Sequence, residues 1–236
     1  MKPQLIGTLL LLLLPGCNDE VSPPVPTPRS SSSDDAQLIS IILGQTIRPD
    51  QDLAMSVAVE LDAIRGKYQD EIPEVALGPQ PLWAENEILI SMTEGAIDSV
   101  RQGMYTAWDD LNRLEGASIQ WINPKIPWLS LIFDDWIHSR LMAPRYQGFP
   151  GVVLAYPARR VGDWSNLYPL QREGSRTYLF RKGSGDCLDG CMESEYWYFR
   201  AVGQSVDYVG HWTPGHEPEP AWWAEAKENR DYFPRW

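Results

Sequence analysis

The chain has 236 residues, 43% hydrophobic and 22% charged, with a formal net charge of −12 at neutral pH. So acidic a surface excludes phosphate-backbone recognition and adsorption to anionic headgroups, both of which need basic patches. The length suffices for one or two domains with a real core.

The N-terminus reads MKPQLIGTLLLLLLPGC. Lys2 gives a positive start, and Leu5 to Leu14 form an almost unbroken apolar run. A bilayer span needs about 20 apolar residues, so the run is too short to cross a membrane and has the layout of a secretory signal. It closes on Leu14-Pro15-Gly16-Cys17, which resembles the lipobox of bacterial lipoproteins, with Pro15 an unusual occupant. The resemblance implies a signal peptide over 1–16 and a diacylglycerol anchor, with acyl chains such as palmitate, on the Cys17 thiol. The protein would then sit in the bacterial cell envelope, lipid-anchored and facing the periplasm or the surface. Losing residues 1–16 removes one base, Lys2, from the 20 and none of the 32 acids, which leaves a charge of about −13.

Residues 17–37 comprise the anchor cysteine and a stretch rich in proline and serine with few large apolar side chains. Such a composition cannot bury a core and predicts a disordered tether, reaching about 25 Å as a flexible coil. Residues 38–84 form an N-terminal helical segment. The type of "QLISIILGQ" is ambiguous, but Asp50 can cap a helix over 51–68 whose apolar face is Leu53, Val57, Leu61, Ile64 and Tyr68. Pro73, Gly78, Pro79 and Pro81 then break the chain.

Residues 85–158 carry a more ordered pattern. A strand over 85–93 leads into a helical stripe of Ile97, Val100, Met104, Ala107, Trp108, Leu111 and Leu114, stopped by Gly116. Strands follow at 118–123 and 128–134, then a short helix within 136–147 limited by Pro144, and a buried strand at 151–157. The order β-α-β-β-α-β is the ferredoxin-like split unit, so the fold class is α+β. Within "GFPGVVLAYPARR", Pro150, Gly151, Val152, Ala155 and Pro157 resemble the closing strand of subtilase propeptides and related inhibitor domains, while Tyr156 and Ala158 replace the usual Glu and Asn. That resemblance implies the same ferredoxin-like fold; it does not imply inhibition.

Residues 159–236 read as an antiparallel β-meander, with aromatic-rich strands at 175–183, 194–203 and 205–212. Between the first two lies "GDCLDGC", with Cys187 and Cys191 four positions apart. Such a pair can serve a metal, a redox switch or a disulfide. A zinc site would need His211 and His216 as further ligands, and a redox dithiol usually reads CxxC at a helix start. In an exported chain the disulfide, stapling a hairpin tip, is the favoured reading. The motif ahead of "YWYF" also resembles a group of uncharacterised bacterial lipoproteins, which brings no activity with it. The tail after Pro220 suits a short helix. Its Trp222, Trp223, Tyr232, Phe233 and Trp236 are expected to pack back onto the domain, with a partner-binding patch as the sharper, rarer alternative.

The sequence carries no HExxH, GxSxG or phosphate-loop motif, and no catalytic, metal or cofactor residue is assigned. His138 near Asp134 and Asp135 could be a carboxylate-held base, but a helix start is the commoner use of such a cluster. Asp186, Asp189, Glu193 and Glu195 are dense enough for calcium but lack the D-x-D-x-D-G order. Two functions remain: a non-enzymatic protein- or peptide-binding module, using an open sheet edge or the aromatic tail, and a hydrolase whose site is assembled from scattered residues. The first is favoured, with the meander expected to cover the helix-free face of the ferredoxin-like sheet.

Overall fold

The computed structural model describes residues 32–160, 162, 164–185 and 191–232. Cys17, Asp186, Cys187, Asp189, Gly190, Phe233 and Trp236 lie outside the described residues. The fold is α+β: a ferredoxin-like unit is followed by a four-stranded meander, and each sheet is antiparallel throughout.

Two helices open the described chain, α1 (Ser32–Gly44) and α2 (Gln51–Tyr68). The ambiguous "QLISIILGQ" is therefore helical. The helix starts inside the stretch read as tether, because Asp34 and Asp35 occupy its first turn, where carboxylates oppose the helix dipole. Asp50 caps α2 as expected, its Oδ1 accepting from the Leu53 amide at 3.0 Å.

The ferredoxin-like unit runs β1 (Trp83–Met92), α3 (Glu94–Arg101), α4 (Asp109–Glu115), β2 (Ala117–Ile122), β3 (Trp128–Phe133), α5 (Ser139–Tyr146) and β4 (Val152–Arg159). Its sheet order is β2-β3-β1-β4. Alternate residues Ile88, Ile90 and Met92 of β1 and Leu129, Leu131 and Phe133 of β3 point toward the helices, where they meet Ile97, Trp108, Met142 and Tyr146. The single helical stripe expected over 97–114 is broken in two. Gly103, at φ 68°, lets the chain leave α3 through the left-handed region, so Met104 and Leu114 lie outside the core, 63% and 74% exposed.

The meander is β5 (Asn166–Arg172), β6 (Ser175–Ser184), β7 (Glu193–Val202) and β8 (Ser205–Trp212), in that spatial order. The first strand precedes those read from the sequence and carries Pro169 within it. An edge strand tolerates proline because one side of its ladder is vacant. Both faces of this sheet are filled. On one, Tyr178, Phe180, Phe199 and Ala201 meet Val57, Leu61 and Ile64 of α2. On the other, Leu179, Tyr196, Tyr198 and Trp212 meet Trp223 and Ala226 of α6 (Trp223–Tyr232) and Leu38 and Ile42 of α1. The meander thus has its own covers on both sides, and does not serve as the cover of the ferredoxin-like sheet.

Two buried charge clusters fix this packing. Arg65 of α2 donates from Nε to the Val75 carbonyl (2.9 Å), from Nη1 to Ser32 Oγ (2.9 Å) and from Nη2 to Asp35 and to the Leu77 carbonyl (3.2 Å). Glu60 accepts from Nε and Nη2 of Arg176 (2.7 and 2.8 Å) and from the Tyr178 hydroxyl (2.6 Å), latching α2 to β6. Burial first, then the Glu60 charge, pushes the Tyr178 hydroxyl well above its ordinary value. Removing one partner of a buried pair strands the other's charge, at about 3–5 kcal/mol. Arg65→Ala is therefore expected to lose that much stability in urea unfolding. Arg65→Lys should recover little, because one ammonium cannot reach four separated acceptors. A loss below about 1 kcal/mol, typical of exposed pairs, would show that this cluster is not structural.

A candidate binding face on the ferredoxin-like sheet

Strand alternation sends one set of side chains into the core and the other to the opposite face. In register across the sheet, that second set forms three rows. One is Ser118, Ile132 and Glu87; the next is Trp121, Ser130, Leu89 and Tyr156; the third is Trp128, Ser91 and Leu154. No helix or strand among the described residues packs over them in the way α3, α4 and α5 cover the other side. Trp121 is 39% exposed and Leu154 50% exposed. Trp128 stands edge-on to Tyr156, with ring centroids 5.7 Å apart, so the two rings bridge β3 and β4 above Ser91. Burial raises the Tyr156 hydroxyl above its ordinary value.

The middle of this face is polar. Ser130 Oγ donates to Glu87 Oε1 at 2.5 Å and lies 3.1 Å from Gln120 Oε1. A carboxylate is thus held in place beside aromatic rings. Aromatics on the free face of a four-stranded sheet can also stack nucleobases. Here Glu87 and the net charge of −12 oppose any phosphate backbone.

The sheet edges, in contrast, are protected. Along β4 the Gln147 side chain donates to the Val153 carbonyl and accepts from the Ala155 amide, both at 2.8 Å, as a neighbouring strand would. On β2 a register irregularity between Ile119 and Trp121 disturbs the ladder. Along β5 the Leu167 amide donates to the Gly78 carbonyl, and Asn166 exchanges two bonds with the Gln80 backbone. β8 carries its own irregularity, opposite Tyr198 and Phe199. Strand addition at an open edge, one expected route to a partner, is therefore disfavoured, and the face is the surface left over.

The aromatic tail was the other route. Trp223 is buried between Tyr196 and Trp212, with centroids at 4.7 and 4.5 Å, and Trp222 stacks on Tyr198 at 5.5 Å. A Cβ at Gly210 would overlap the Trp222 indole, so that glycine makes room for the ring. Tyr232 accepts a hydrogen bond from Gln45 at 3.3 Å. Trp222 and Trp223 thus pack α6 onto the meander, as the core reading of the tail expects.

Two cavities lie away from this face. A polar one of about 140 Å³ is lined by Ser56, Glu60, Gln171 and Arg176, but its charges are already paired with each other. Between α1 and the ferredoxin-like unit, a smaller one of about 20 Å³ is lined by Leu38, Ile42, Trp83, Glu85, His138 and Ser139. It gathers a histidine, a serine and a carboxylate, the ingredients of a scattered hydrolase site. Such a volume is that of about one water. Trp83 Nε1 and Glu85 Oε2 are buried there without a hydrogen-bond partner. Asp135 is exposed and faces Arg48 at 3.9 Å, while Asp134 lies against Gly116, so the cluster around His138 is a helix entry, with His138 the N-cap of α5. His211 Nε2 stands 3.6 Å from Glu195 Oε2. Among the described residues no group of three His, Cys, Asp or Glu could hold a metal ion. No helix of these residues is long and apolar enough to cross a membrane.

Comparison with protein-family models, with curated proteins and with solved structures finds no match to this chain.

Burial, reinforced by Arg140, pushes His138 down to about 4 from 6.5. The folded state thus favours the neutral ring. Its contribution to stability is complete above pH 6.5 and is lost as the pH falls toward 4, by roughly 2–3 kcal/mol at about pH 4.5. Denaturant unfolding at neutral and acid pH should show that extra acid loss in the native chain and not in His138→Gln. Equal losses would mean that the buried ring protonates freely.

Proposed function

We propose that this chain is a lipid-anchored protein of the bacterial cell envelope that binds a protein or peptide, without catalysis, on the open face of the β2-β3-β1-β4 sheet. The observation that carries the binding reading is the uncovered aromatic face built by Trp121, Trp128, Tyr156 and Leu154. Trp and Tyr are enriched at the centres of protein interfaces, where they supply large contact area at low entropic cost. The anchor reading rests on the LPGC sequence at 14–17.

The proposal keeps Cys187 and Cys191 as a disulfide across the β6–β7 connection. What supports it is Gly183, whose hydrogen in place of a Cβ leaves room for Cys191 Sγ against β6. Gly185, at φ 88°, also takes the left-handed conformation that a tight connection requires.

Mass spectrometry of the chain extracted from envelopes is expected to find diacylglycerol on Cys17 and an intact 187–191 bridge. An unmodified, soluble chain with two free thiols overturns both. The binding face is tested in living cells with a photo-crosslinking amino acid at position 121 and, as a control, at the exposed Met55 of α2. One protein adduct of defined mass at 121 and none at 55 is the expected outcome. Equal adducts at both positions, or none at 121, remove the support for this face.

A further inference from the structure

We infer, resting on that reading, that the occupant of the face is a short, extended, basic segment of a partner protein. Its apolar side chains would lie on Trp121, Trp128 and Tyr156, and a Lys or Arg would meet Glu87.

Size argues first. Four strands spaced about 4.8 Å apart, each showing roughly six residues at 3.3 Å, make a face of about 19 by 20 Å, or about 400 Å². A stable interface between folded proteins takes about 800 Å² from each partner. The face is half of that, and suits a segment of chain.

Charge argues next. None of the residues in the three rows is basic, and Glu87 stands among them. A second copy would press Glu87 against Glu87 between two chains that each carry −12. A cation reverses both penalties. Oε1 of Glu87 is held by Ser130, and Oε2 takes no hydrogen bond among the described residues. The Trp and Tyr rings alongside attract a cation through their π faces as well. The protected edges favour a segment that lies over the strands and does not extend the sheet.

The test uses the purified full-length chain and two short fluorescent peptides. One alternates Arg with Leu or Tyr; the other has Glu in place of each Arg. Fluorescence anisotropy is expected to show the basic peptide binding at least about tenfold more tightly than the acidic one, and more weakly as salt rises. Glu87→Gln, which keeps an acceptor for Ser130, should weaken the basic peptide about tenfold. Trp121→Ala should abolish binding, and Met55→Ala should leave it unchanged. Equal binding of both peptides, lost in Trp121→Ala, overturns the charge inference and leaves the binding face standing. A dimer in sedimentation that Trp121→Ala converts to monomer, with no peptide bound, overturns it in favour of a second copy. Binding of a neutral chitooligosaccharide at this face in place of the peptide overturns it in favour of a glycan. Binding of none of these, together with no adduct at position 121, overturns this inference and the binding reading alike.

Discussion

Much of the structure depends on the Arg65 guanidinium. It is buried and collects partners from two separate stretches: Ser32 and Asp35 on α1, and the carbonyls of Val75 and Leu77 beyond α2. A planar fork with five donors can hold such an array, and each acceptor it fixes orients a segment. α1 is set against α2. The chain after Leu77 is pulled across the β5 edge, where the Gly78 carbonyl meets the Leu167 amide. Gly78 has no side chain because the Asp35 carboxylate occupies that space. The strap then delivers Pro81 and Trp83 to the start of β1. One cation thus ties the helical pair, the meander edge and the entry to the ferredoxin-like unit together.

The consequence is an unequal distribution of cover. α1, α2 and α6 are all spent on the meander, and α3, α4 and α5 on the inner face of the other sheet. The units are joined through backbone and charge. The His138 amide donates to the Ile47 carbonyl at 2.9 Å, and the buried Glu115 carboxylate takes both Arg48 and Arg145. Nothing in that joint reaches the rows around Trp121, Ser130 and Tyr156.

The ferredoxin-like order was legible because its strands alternate and its connections carry punctuation; the hairpin at 123–127 and the stop at Gly116 are both visible in the residues. Other features were hidden for physical reasons. Periodicity reports which residues could share a face, but not where the chain leaves the helix, so the left-handed Gly103 inside the 97–114 stripe escaped notice. "NLYPLQR" lacks the strand signature because it carries Pro169, a penalty that vanishes at an edge. Composition alone set the tether boundary, and it could not see that Asp35 would find Arg65 thirty residues away. The aromatic tail was expected to pack back, with a partner patch as the rarer reading, because residue type alone suits both. Only Gly210, a gap in a strand, hinted that a ring comes close. The open face escaped because a half-buried strand alternates alike whether water or a partner covers its outer side.

An exposed tryptophan beside half-buried aromatic rings on a sheet is normally a hazard, since apolar patches and bare edges invite aggregation. The chain protects its four sheet edges by three means: the Gln147 amide on β4, irregularities in β2 and β8, and the strap on β5. Its net charge of −12 adds repulsion between copies. Against that background, hydrophobic surface left in the middle of a sheet is not for want of protective devices. Trp121 also stands opposite Ser130, the residue that holds Glu87 in place, so apolar contact area and a fixed anionic group share one site. A surface whose role was only to stay soluble would need neither. Their juxtaposition is what a recognition surface requires: area for affinity, and a positioned charge to reject the wrong partner.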